Sequence, residues 1–211
     1  MPMKSDREYR AMQLAIEERA EGEEEAMVVS GYASTFDEPY LLFKDDEVEV
    51  WETVDRSAFD DTDMSDVILQ YDHQGRVFAR IRNNTLNVEP NDVGLYIRAD
   101  LSGTDIGRQL YQEIAGGYSD KMSFGFTVEE DRREVSDRED GVSVMTRTIT
   151  KVGKLFDVSV VSMPANPGTS VSARFLEGAI EEVKAERLKA AELEEKRSIA
   201  RAKVSAILGK E

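Results

Sequence analysis

Three groups in this sequence could together break a covalent bond: a serine hydroxyl, a single imidazole and a carboxylate in an apolar setting. The serine lies in Lys121-Met122-Ser123-Phe124-Gly125-Phe126-Thr127-Val128, which alternates strictly. Met122, Phe124, Phe126 and Val128 point one way, and Ser123, Gly125 and Thr127 point the other. Period two predicts a β-strand with one face on a core. A glycine inside a strand marks a place where something approaches closely. The stretch therefore reads as a nucleophile, Ser123, with room left by Gly125 for a substrate. A solvated strand face of small polar residues would show the same pattern. His73 is the chain's one histidine and cysteine is absent. A thiolate nucleophile, a zinc–thiolate site and a multi-histidine metal site are thus excluded, and no metal or cofactor is expected. If a serine is to be activated here, only His73 can supply the imidazole base.

His73 closes the segment Asp66-Val67-Ile68-Leu69-Gln70-Tyr71-Asp72-His73-Gln74-Gly75, which reads as an inner strand that breaks into polar residues at Asp72. A strand end is where strands hand over to loops and sites are built. Asp72 is next to His73, but neighbouring strand residues face opposite sides, so it is a poor partner for the ring. Asp157 sits in Lys154-Leu155-Phe156-Asp157-Val158-Ser159-Val160-Val161-Ser162-Met163-Pro164, which is nearly continuously apolar and predicts a strand covered on both faces. A carboxylate there is costly unless partnered. It either reaches water at a strand end or accepts the N–H of His73. A base whose tautomer is fixed by a third group is what a serine nucleophile requires.

The 211 residues carry 40% hydrophobic and 33% charged side chains, with a net charge of -16. That is a globular balance with a surface that repels phosphate backbones and anionic headgroups, so neither nucleic acid nor membrane is an expected partner. Residues 1–26 read as a polar N-terminal segment joining the first strand, residues 27–174 as the main β domain, and residues 175–211 as a charged helical tail. Within this frame, Arg7–Ile16 and Met27–Ala33 form an opening hairpin across an acidic turn. Phe36–Asp46 is a loop, Glu47–Val54 a half-buried strand, and Ala79–Val88 and Gly94–Leu101 two further strands. Thr104–Ala115 is a helix from Ile106, Leu110 and Ile114, stopped by Gly116-Gly117. Glu129–Gly141 is almost wholly charged and reads as a mobile loop, with Val142–Ile149 returning from it. Glu177–Gly209 is helical, with an apolar stripe so thin that a detachable tail or a coiled-coil contact is expected.

Several stretches together resemble the prohead (capsid-maturation) serine proteases of tailed bacteriophages, relatives of the herpesvirus assemblins. They are Gly31-Tyr32-Ala33-Ser34-Thr35-Phe36, Glu52–Phe59, Tyr71-Asp72-His73, Val93-Gly94-Leu95, Met122-Ser123-Phe124-Gly125-Phe126, and Leu155–Val161 followed by Pro164-Ala165. The resemblance covers roughly residues 28 to 173. It implies that His73 and Ser123 are the family's histidine and serine. At the third position the phage family often has Glu where this chain has Asp157, and the herpesvirus relatives use a second histidine that this chain lacks. The implied fold is an antiparallel β-barrel surrounded by helices, with the charged C-terminal helix outside it. The implied activity is endopeptidase cleavage of the scaffold, or of the scaffolding segment of the major capsid protein, and of itself. It would act inside the immature capsid in the host cytoplasm. A homo-oligomer is left open. The alternative is a non-catalytic capsid-assembly or scaffold-like protein on the same fold.

Overall fold

The computed structural model describes residues 7–16, 27–162 and 173–208. The acidic turn expected between the first two strands, over 17–25, lies outside the described residues. The elements run β1 (Glu8–Ile16), β2 (Val28–Thr35), β3 (Tyr40–Lys44), β4 (Val48–Val54), β5 (Ile68–Tyr71), β6 (Gln74–Arg80), β7 (Leu86–Pro90), β8 (Gly94–Asp100), α1 (Asp105–Ala115), β9 (Lys121–Asp137), β10 (Ser143–Val161) and α2 (Ala173–Leu208). The fold is mainly β with helices, as the alternating segments predict.

The strands pair in the order β3-β4-β10-β9-β1-β2-β8-β7, with β5 and β6 added beside β10. The antiparallel barrel expected from the resemblance is not formed by this pairing. Among the described residues β3, β6 and β7 each pair with a single neighbour, so the ladder has open edges. Nor is it all antiparallel. β10 is long enough to take two strands end to end on one edge, β4 along Ser143–Ile149 and β5 along Asp157–Val160, and both run parallel to it. The sheet nevertheless bends over one core. Val29, Leu95 and Ile97 from β2 and β8 cluster with Leu69, Phe124, Phe126 and Val158 from β5, β9 and β10.

The charged stretch expected as a loop is instead the second half of β9. It lies antiparallel to β10 from Ser143↔Asp137 to Ile149↔Asp131. Much of it stays exposed, but several of its charges are ion-paired, among them Arg132 with Glu134 and Arg133 with Asp131. Arg147 reaches Asp131 at 2.7 Å. Behind that pair lies a buried ionic cluster. Glu52 accepts from Arg10 Nε at 2.5 Å, Arg147 Nη1 at 2.9 Å and Tyr40 Oη at 2.5 Å. Glu8 accepts from Arg147 Nη1 at 2.8 Å and Arg10 Nη2 at 2.6 Å. Burial pushes the Glu8 carboxyl up, but the bonds and charges of Arg147 and Arg10 outweigh it and hold the group below its ordinary value. The cluster joins β1, β3, β4, β9 and β10 through side chains.

α2 is one continuous helix. Ala179 and Val183 are fully buried against Leu42, Val48, Val50 and Met145, so its first turns belong to the body. Arg133–Glu182 and Arg187–Asp137 ion pairs flank that contact. Leu188, Leu193 and Ile199 are exposed. Among the described residues no helix is long and apolar enough to cross a membrane.

Candidate active site

His73 owes its position to a tight hairpin. Tyr71 pairs with Gln74, leaving Asp72 and His73 as the two turn residues. Both have positive φ, 47° and 56°. Two successive left-handed residues match the right-handed twist of a two-residue hairpin, and Asp and His tolerate that region better than most side chains. The turn is tied to β10. Asp72 N donates to Val160 O at 2.9 Å, and the Asp72 carboxylate accepts from Ser162 N at 3.0 Å. Asp72 is thus occupied with the loop end of β10 and does not orient the ring.

The ring finds Asp157. His73 Nδ1 lies 2.5 Å from Asp157 Oδ1. With the carboxylate ionised, Nδ1 carries the proton and donates, so Nε2 is the nitrogen able to take a proton. Asp157 is 2% exposed, so its charge must be met by hydrogen bonds. A second bond comes from Ser159 Oγ, which donates to the same Oδ1 at 2.9 Å.

A bulge decides which face Asp157 occupies. Leu155 pairs with Phe126, but the next pair is Asp157 with Gly125, so two steps along β10 match one along β9. Phe156 is the extra residue. In a regular strand Asp157 would share the core face of Leu155. The bulge turns it to the face of Gly125 and Ser123, and returns Val158 to the core opposite Phe124. Gly125 places no side chain beside the carboxylate.

Ser123 pairs with Ser159 across β9 and β10, so their side chains stand side by side on that face. Ser123 is 2% exposed, more buried than an open strand face would be. Its Oγ is buried with no hydrogen-bond partner among the described residues. A buried hydroxyl left in this way costs about 1–3 kcal/mol. Of the three candidate residues, then, the fold joins His73 and Asp157 directly. It sets Ser123 on the same face without a Ser123–His73 hydrogen bond. Ser159 was missed in the sequence reading. The signal for it was the Asp157-x-Ser159 spacing, which puts a hydroxyl on the same face of one strand as the carboxylate.

α1 precedes the Ser123 strand in the chain. Thr104 Oγ1 caps it by accepting from Gly107 N at 3.1 Å. A Cβ on Gly107 would lie 2.3 Å from Leu101 O, so only glycine lets the helix start this close to the end of β8. Gly117, with φ 72°, ends it, and four residues later the chain enters β9. Among the described residues no group of three or more His, Asp or Glu side chains is placed to hold a metal ion.

A model of the caudovirus prohead serine protease family matches residues 14–186. Among solved structures, the capsid assembly protease gp21 of bacteriophage T4 aligns over 75% of this chain and 99% of its own, with 9% identity and a TM-score of 0.37. No curated protein sequence matches the chain.

Proposed function

Because this chain belongs to the caudovirus prohead serine protease family, we propose that it is a serine endopeptidase of capsid maturation with Ser123 as nucleophile, His73 as general base and Asp157 as orienting carboxylate. Asp157 holds Nδ1–H, so Nε2 accepts the Ser123 proton as Oγ attacks the scissile carbonyl. The same proton then passes to the leaving amine, and water releases the acyl group from Ser123 by the reverse sequence. Ser159 keeps the carboxylate aimed at the ring. The substrates are the scaffold or the scaffolding segment of the capsid protein, and the chain itself, inside the prohead.

The observation that carries this reading is the 2.5 Å His73–Asp157 contact on the same strand face as a buried serine hydroxyl. Intact-mass measurement over time, alone and with scaffold and capsid protein, tests it. The parent protein generates cleavage products, while Ser123→Ala loses on the order of 10⁶ in rate. A Ser123→Ala variant that processes at the parent rate rules out Ser123 as nucleophile.

A further inference from the structure

Phe156 has no register partner on β9. Leu155 before it and Asp157 after it are buried, yet Phe156 itself is only half-buried. A bulge leaves its extra residue out of the ladder and re-aims the side chain beside it. Here the side chain beside it is the carboxylate that meets His73. Whatever holds the Phe156 ring therefore bears on where Asp157 points.

Two cations meet that ring. Arg7 Cζ lies 3.7 Å from the ring centroid and Lys154 Nζ lies 5.7 Å from it. A cation over an aromatic face is attracted by the ring quadrupole, and a planar guanidinium also stacks on it. Lys154 belongs to β10 and is paired with Asp63. Asp63 is joined to β10 in turn, since its N donates to Gly153 O at 3.0 Å and its O accepts from Leu155 N at 3.2 Å. Arg7 comes from the far end of the chain, and the register brings it in. Glu8 pairs with Phe126, whose side is the core. The residue before Glu8 faces the other way, toward the side of Asp157. Among the described residues Arg7 has no ion pair, whereas Arg10 is bonded to Glu8 and Glu52. The guanidinium of Arg7 is thus committed to the ring.

We propose that Arg7 and Phe156 form a clamp that aims Asp157 at His73. Arg7 is a positioning residue that acts through the Phe156 ring and touches no substrate. The inference rests on the protease reading and adds what holds its third member in place. Arg7 precedes residues 14–186, the span that the family model matches, so this role is read from the chain's own contacts.

The test is a double-substitution cycle on the full chain with Arg7→Gln, Phe156→Leu and the two together. Two readouts are taken: the rate of fluorophosphonate labelling at Ser123, and the Nδ1–H resonance of His73, the one imidazole in the chain. Glutamine removes the charge, and leucine keeps apolar bulk without the ring. Each single substitution should slow labelling on the order of three- to tenfold and move the Nδ1–H resonance. The double variant should be no slower than the slower single one, because both act through one contact. Arg7→Lys should recover part of the rate, since it keeps the cation but not the flat stack. If Phe156→Leu lowers the unfolding midpoint, Arg7→Gln and Arg7→Lys carry the test alone. Effects that simply add in the double variant overturn the proposal, as does parent-like labelling with an unmoved resonance in Arg7→Gln. Slower labelling with an unmoved resonance also overturns it, making Arg7 a contact of the probe. If the parent takes up no fluorophosphonate at Ser123, the protease reading fails, and the resonance alone decides the clamp: a shift in both single variants supports it, and no shift overturns it.

Discussion

Asp157 Oδ1 receives two hydrogen bonds, from His73 and from Ser159, and each should have a separate functional signature. Asp157→Asn keeps the shape but presents an amide that can donate to Nδ1. The ring then takes the tautomer whose Nε2 carries the proton and cannot accept one, and activity should fall about 10⁴-fold with the fold retained. Ser159→Ala removes only one donor to the carboxylate. The expected loss is on the order of tenfold in kcat with KM unchanged. His73 is the one histidine, so isotope-labelled histidine yields a single imidazole spectrum. In Ser159→Ala its Nδ1–H resonance should move, which a purely structural role for Ser159 would not produce. An unchanged spectrum and rate would remove Ser159 from the site.

At the scale of elements, the buried ionic cluster is the feature with the largest expected energetic consequence. Glu52 is fully buried and faces Arg10 and Arg147, each 4% exposed or less. Glu52→Leu leaves two buried guanidinium groups short of a carboxylate, and chemical denaturation should show a loss of about 3–5 kcal/mol. A loss under 1 kcal/mol would mean the cluster is not holding β1 against β4 and β10. Glu8 adds a pH dependence. Its folded pKa lies below its ordinary value, so its contribution is complete above the ordinary carboxylate range and fades as pH falls below it. Denaturation midpoints should therefore drop on acidification past roughly pH 4. None of this cluster was legible in sequence. Arg10 and Glu52 are 42 residues apart, Glu8 and Arg147 are 139 apart, and only pairing brings them together. The same holds for the charged half of β9, whose polar residues resemble a loop until their partners on β10 are known. β3 followed a proline and showed no clear alternation. By contrast, Met122–Val128 and the α1 pattern were readable, because each buries a locally periodic face. The bulge at Phe156 was not, since a bulge is a property of two strands and not of one.

For the whole molecule, α2 has two regimes. Ala179 and Val183 complete a small core with Leu42, Val48, Val50 and Met145, while exposed apolar residues begin at Leu188. The tail expected to detach near residue 175 is therefore better divided later. Truncation after Leu188 should leave cooperative unfolding and its midpoint nearly unchanged. Truncation before Ala179 should uncover the small core and cost about 1.5–3 kcal/mol for Val183 alone. If both truncations behave alike, the packed turns contribute nothing and α2 is an appendage from its start. Residues 188–208 carry five Lys or Arg against three Glu, so the exposed half of α2 is mildly basic on a chain whose net charge is -16.

The central claim is that the strand pairing of β9 with β10, and the turn at His73, make Ser123 a nucleophile. Fluorophosphonate labelling followed by peptide sequencing in the mass spectrometer tests it most directly, because Ser159 stands beside Ser123 as an internal control. The account predicts a single adduct on Ser123, absent in His73→Ala and sharply reduced in Asp157→Asn. An adduct on Ser159 instead, or labelling of Ser123 that survives in His73→Ala, would contradict it.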